Sequence, residues 1–220
     1  MLTPVSTASD LPPDAVDTGA EPGGTPVIPR GGGRDAITGA AREIFAERGY
    51  HGTSIRDIAK RAGLSLSAMY YWHPSKQHLL AALIEESTYD YFHRCDEALR
   101  EVGDDPADRL RALVRATVEY RVRRRVESNI GTQEWRNLEP DNRERLDGLR
   151  RSATQLWADI INDGVTRGTF RCAHPGDARR SIVAACNAIA QWYEPSGELG
   201  LPDLVERYTE IALRIVDCPS

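Results

Sequence analysis

Only Gly63, Leu64 and Ser65 separate two helix-forming segments within residues 53–80, TSIRDIAKRAGLSLSAMYYWHPSKQHLL. So short a joint leaves no room for a strand and sets the two helices across one another, the geometry of a helix-turn-helix. The first helix opens at Ser54, which forms an S-x-x-D capping box with Asp57. Ile55, Ile58, Ala59 and Ala62 make its apolar face, and Gly63 ends it. Ser65 is the natural N-cap of the second helix. That helix is short, because Pro74 disfavours helical geometry at His73 and stops it near Trp72.

The flanking sequence is helical too. Ile37, Ala40, Ala41, Ile44 and Phe45 recur at helical spacing, with Asp35 in the first turn and Gly49 as the stop. Residues 34–80 are therefore expected to form a three-helix unit. Ser75 caps a longer helix that turns Leu79, Leu80, Leu83 and Ile84 inward and runs to about Val102. Asp105-Pro106 opens a helix to about Glu127, and a short helical piece surrounds Gln133 to Asn137. Further helices run from Pro140 to about Arg167, from Gly176-Asp177 to about Tyr193, and from Pro202 onward. Neither strand alternation nor a repeat is visible. The expected fold is all-α, an N-terminal helix-turn-helix domain followed by a helical bundle over 81–217. Residues 1–33 are rich in Pro, Gly and Ala with few large apolar side chains, and are expected to be a disordered arm. Its Arg30, with Arg34 just beyond, is the basic group available to reach a minor groove.

Charge is distributed unevenly. The whole chain carries −5, but the first 33 residues carry −3, residues 34–82 carry +3 and the remainder −5. A basic module ahead of an acidic body permits nucleic-acid binding by that module alone. No apolar run approaches the roughly 20 residues of a membrane span, and the N-terminus lacks the basic start and apolar stretch of a signal peptide. No membrane partner and a cytoplasmic location are expected. Cys95, Cys172, Cys186 and Cys218 form no CxxC pair, and the five histidines show no ligand spacing, so no metal and no cofactor are expected. No phosphate loop and no nucleophile with its base are present, so no catalytic residue is assigned.

The physics of residues 53–80 suits DNA. The major groove admits a helix, and a short one enters end-on with its first residues against base edges. The block resembles the DNA-binding domain of the tetracycline-repressor (TetR) family. The residues in register are Phe45, Gly49, Tyr50, Thr53, Ser54, Ile58, Ala59, Ala62, Gly63, Leu64, Ser65, Met69, Tyr70, Ser75, Lys76 and Leu79. It departs from the family pattern at Trp72-His73, where Phe usually takes the second place, and at Leu66, where a polar or basic residue is common. The resemblance implies that Thr53, Ser54, Tyr70, Tyr71 and Lys76 contact phosphates, with Arg56 reaching backbone or base. Leu66, Ser67 and Ala68 would lie at the base edges, and Ser65 belongs to the same DNA-binding set. Ile58, Ala59, Leu64 and Met69 hold the helices together, Trp72 packs, and His73 is a turn residue.

By the same resemblance the body is a ligand-binding bundle that dimerises through its last two long helices. The sequence supports this independently. The helix around Ile182, Val183, Ala185, Ala188, Ile189 and Trp192 is rich in small residues, and Leu204, Val205, Tyr208, Ile211, Ala212, Ile215 and Val216 form one stripe. A homodimer would set two modules about one DNA turn apart, roughly 34–36 Å, and read a palindromic operator. The candidate ligand residues are Tyr120, Asn129, Gln133, Trp135, Trp157, Asn187, Gln191 and Trp192, each polar or amphipathic near a central helix. The run Arg121, Arg123, Arg124 and Arg125 is read as a solvated face or as a dock for an anionic ligand. EWRNLEPDNRERL together with WYEPSGELG resembles a branch that includes regulators of lipid or acyl-CoA catabolism, making a coenzyme A thioester a candidate effector. The expected function is a ligand-released repressor; the alternatives are an activator of the same family, or a helical adaptor carrying a helix-turn-helix.

Overall fold

A computed structural model describes residues 32–218. The expected arm lies outside the described residues up to position 31, and its last two glycines belong to a helix. The described residues form nine α-helices: α1 Gly32–Arg48, α2 Ile55–Ala62, α3 Leu66–Trp72, α4 Lys76–Arg100, α5 Pro106–Arg123, α6 Arg125–Gln133, α7 Pro140–Thr166, α8 Pro175–Trp192 and α9 Leu201–Ile215. A 3-10 turn, Trp135–Asn137, joins α6 to α7. The described residues contain no strand.

Local signals place these boundaries. Ser54 accepts from the Asp57 amide and Asp57 returns the bond to the Ser54 amide, so two orphan donors of α2 are met. Gly63 takes φ 69°, a left-handed geometry that costs a residue with a Cβ, and turns the chain towards α3. Ser65 and Ser75 cap α3 and α4 through the amides of Ala68 and His78. Asp105 accepts from two amides at the start of α5, with Pro106 in the first turn.

One boundary differs from expectation. The helix expected to continue to Glu127 breaks at Arg124, whose backbone sits at φ −116°, ψ 44°, and restarts as α6. Arg124 there forms ion pairs with Asp90 and Glu127, at 3.2 and 3.7 Å. The break lets α6 leave the axis of α5 and run between α1, α4 and α8.

Two apolar cores result. The first joins Ile37, Ile44, Phe45, Ile58, Met69, Leu79 and Leu80 of α1–α4 with Ile130, Leu138 and Leu146 from α6, the following loop and α7. The second centres on α5, which packs against α4, α7, α8 and α9. Gly164 of α7 lies so close to Phe170 that a Cβ would come within 2.1 Å of the ring, so only glycine lets that ring close the second core. Helix α4 belongs to both cores. Arg42 of α1 and Arg145 of α7 hold it from either side through Glu86 and Glu85, at 2.7 and 2.6 Å.

Candidate nucleic-acid interface and ligand cavity

Helix α3 buries one residue, Met69, and turns the rest of its length outward. Leu66, Tyr70, Tyr71 and Trp72 are 37, 52, 72 and 38% exposed, an unusual display of large apolar side chains on a single short helix. Ser54, Arg56, Ser65 and Ser67 are exposed beside them, and Ala68 is half-buried. These residues form one continuous face of polar tips and aromatic edges. Trp72, expected to pack, does so only in part, edge-on against Tyr71 at 5.2 Å between ring centroids.

Two residues expected on this face are turned inward. Thr53 is buried, and its hydroxyl donates to the Gly49 carbonyl at 2.8 Å, closing the α1–α2 turn. Lys76 donates from Nζ to the carbonyls of Tyr50 and Thr53, both at 2.8 Å, and lies 4.0 Å over the Tyr50 ring. Burial lowers the Lys76 pKa, while Glu134 opposes the shift. Two of its three donors fix the turn. His73, expected in a turn, is buried at the end of α3 with Nδ1 3.2 Å from Nδ1 of His78.

The loop after α6 grips this module from the other side. Glu134 is buried, and its carboxylate accepts from the Tyr50 amide at 3.2 Å and from the Asn137 side chain. The Asn137 amide oxygen meets His51 at 2.9 Å. Gln77 donates to the Asn137 carbonyl at 2.6 Å and to the Tyr50 hydroxyl at 2.8 Å, and accepts from the Glu139 amide at 3.0 Å. Every polar atom of the Gln77 side chain is thus engaged, a network that fixes one arrangement of loop and turn. The bonds between loop and module are not visible in sequence spacing, because they meet across 60 to 86 positions.

A cavity of about 230 Å³ opens behind that loop, between the two cores, walled by α4, α5, α6, α7 and α8. Of the expected ligand residues it brings together Tyr120, Trp135, Trp157 and Asn187. It adds Ser87, Tyr91, Thr117, Arg121 and Arg150, of which the sequence pointed only to Arg121. The Trp157 indole donates to the Tyr91 hydroxyl at 3.1 Å. Thr117 donates to the Leu113 carbonyl at 2.7 Å, so Tyr91 donates to Thr117 and the chain has one direction. Burial pushes Tyr120 up to about 12 and raises Tyr91 further still, so both phenols stay neutral.

Other expected residues lie elsewhere. Asn129 and Gln133 line a separate pocket of about 260 Å³ between α6 and the end of α1. Gln191, one turn beyond Asn187, and Trp192 are exposed on the outer face of α8. Trp192 stacks there on Tyr208 of α9, with ring centroids 6.4 Å apart. The arginine run divides. Arg123, Arg124 and Arg125 pair with Glu119, Asp90 and Glu194 respectively, and Arg121 alone points into the cavity.

A helix-turn-helix with its reading face open, coupled through a satisfied polar network to a helical body with an internal cavity, defines a ligand-responsive DNA-binding transcriptional regulator. The comparisons name the group: residues 37–83 match the model for bacterial regulatory proteins of the tetR family, and residues 103–216 match the tetracyclin repressor-like C-terminal domain. The chain belongs to the tetracycline-repressor family. It is 27% identical over 204 residues to the HTH-type transcriptional repressor KstR2 of Rhodococcus jostii, covering 92% of this chain and 95% of that one. The structure resembles a tetR-family regulatory protein from Rhodococcus RHA1, with TM-score 0.79, 28% identity, and 86 and 98% of the two chains covered. It also resembles the ketosteroid transcriptional regulator KstR2 of Mycobacterium tuberculosis, with TM-score 0.75, 25% identity, and 85 and 95% covered. No helix among the described residues is long and apolar enough to cross a membrane.

Proposed function

We propose that this chain acts in the cytoplasm as a repressor without catalytic activity, binding a palindromic operator as a homodimer and released when a small molecule fills the cavity behind α6. One observation carries the reading: Trp135, which lines the cavity, adjoins Glu134, whose carboxylate holds the α1–α2 turn. A ligand that moves the Trp135 ring changes the anchor of the DNA-binding module without touching DNA. Ser54, Arg56, Tyr70, Tyr71 and the third donor of Lys76 would contact phosphates, while Ser65, Leu66, Ser67 and Ala68 face base edges. Thr53 sets the turn that presents them. Dimerisation runs through α8 and α9, where Trp192 and Ile211 stay 48 and 45% exposed beside Tyr208.

The relatives named repressors support repression over activation. Acyl-CoA thioesters are the effector class to test first; in a cavity of about 230 Å³ the acyl part would sit inside, with the coenzyme beyond the exposed Arg150. The experiment is a genome-wide binding selection with purified protein, then a gel-shift assay on the recovered site with and without thioesters. A short palindrome released by a ligand is expected. No enriched site at moderate salt would leave the helical adaptor standing instead.

A further inference from the structure

Among the described residues Arg121 has no carboxylate within ion-pair distance. Its guanidinium packs against an edge-to-face pair of rings, with Cζ 5.3 Å from the Tyr91 centroid and 5.5 Å from that of Tyr120. Of its five N–H groups one reaches Ser128 Oγ, at 3.3 Å, while Nε is buried with no acceptor among the described residues. Glu127, the carboxylate of the cavity wall, turns to Arg124 at 3.7 Å. Arg121 forms no ion pair among the described residues, unlike its three neighbours in the run.

These surrounding hydroxyls are neutral and offer an incoming anion no donor. Ser87, Thr88, Thr117, Tyr120, Thr132 and Thr154 each donate to a backbone carbonyl. Their protons are directed into the helices, and only lone pairs face the cavity. The strong donor left in the interior is the Arg121 fork. A half-buried guanidinium set against two rings presents a planar fork of donors, complementary to a planar two-oxygen anion. The cavity limits what carries that anion, since about 230 Å³ holds about eight waters' worth of liquid. Trp135 and Trp157 in its wall favour an apolar or ring-shaped body.

We infer that Arg121 receives a carboxylate borne by a compact, largely apolar effector, and so determines which molecules the protein senses. This rests on the reading of the cavity as the effector site. The carboxylate belongs either to a free acid or to the distal end of a dicarboxylic acid carried as its coenzyme A half-thioester, with the coenzyme leaving past Arg150.

The test uses the full chain and follows melting temperature against ligand concentration. The probes are benzoate and cyclohexanecarboxylate against their primary amides, and glutaryl-CoA against butyryl-CoA. At least one carboxylate raises the melting temperature saturably while its uncharged counterpart does not. A response to the acids assigns a free acid; a response to glutaryl-CoA alone assigns the half-thioester. Arg121→Met weakens the responding probe by about 10- to 100-fold, the range for a hydrogen bond to a charged group. Arg121→Lys recovers part of that loss, and each variant's melting temperature in buffer reports its folding. Should Arg121→Met fail to fold, the acid–amide difference on the natural chain and the Arg121→Lys series decide. Amides as effective as acids, butyryl-CoA as effective as glutaryl-CoA, no response to any probe, or an unweakened Arg121→Met overturns the inference. Operator selection on the natural chain separates the two readings: a palindrome with no carboxylate response sinks only this inference, and a carboxylate response with no enriched DNA site sinks only the regulator.

Discussion

His73 ends α3 with an imidazole that is 1% exposed, bonded to His78 through Nδ1 and with Nε2 meeting no partner. Burial, then the neighbouring charges of His78 and Arg34, lowers its pKa from 6.5 to about 4. Above pH 6.5 both folded and unfolded chains carry it neutral, and it adds no pH dependence. Between pH 6.5 and 4 the unfolded chain takes up a proton that the folded chain refuses, so stability falls as pH falls, by up to about 3 kcal/mol from this residue. His73→Phe, the residue usual at this position in the family, is expected to flatten that slope and to change stability at pH 7 by less than about 1.5 kcal/mol. Urea midpoints at pH 7, 6, 5 and 4 check this, and an unchanged slope in the variant would sink it. Local rules made Ser54, Ser65 and Ser75 legible as caps, because a cap and its amide lie three positions apart. The inward turn of Thr53 and Lys76 was not legible. Their partners are carbonyls of a turn whose shape depends on α4 packing beneath it.

Helices α4 and α6 are the elements that join module to body, and they do so differently. Helix α4 is continuous over 25 residues, about 38 Å, and any tilt of it moves both ends together. Helix α6 ends in the loop whose Glu134 and Asn137 clasp the α1–α2 turn while Trp135 faces the cavity. If the clasp carries the coupling, Glu134→Gln should break it, because the new amide sets a donor against the Tyr50 or Asn137 donor. The ratio of operator affinities without and with effector, typically 5- to 150-fold in such systems, should then collapse towards one. Hydrogen exchange at the Tyr50 amide should quicken in the same variant without any effector. A full ratio with a quickened amide would assign the coupling to α4 instead. The sequence carried the existence and order of these helices through period and caps. It hid the break at Arg124, since no glycine or proline marks it and one of the ion pairs made there reaches the distant Asp90.

On the scale of the molecule, a basic module of +3 sits on a body of −5, so one subunit alone attracts DNA weakly. On the proposed reading two subunits would double the phosphate contacts and set the spacing at which both α3 helices enter successive major grooves. The apolar stripe expected along α9 divides between a buried and an exposed part. Leu204, Ala212 and Val216 are buried in the subunit's own core, whereas Ile211 stands 45% exposed with Tyr208 and Ile215 half-buried beside it. A stripe wider than the core can cover is the surface a second copy would bury. Ile211→Glu places a charge at that surface while leaving the subunit's core intact. Sedimentation is expected to show monomers in place of dimers, and operator affinity should fall by at least about 100-fold as the second half-site is lost. Salt dependence discriminates further. The slope of log affinity against log salt counts neutralised phosphates, roughly 0.9 per contact, so a monomer should show about half the slope of the dimer. Monomers in solution that retain the full slope would mean that DNA reassembles the pair and that Ile211 lies outside the interface. A dimer that survives the substitution would move the interface away from α9 altogether.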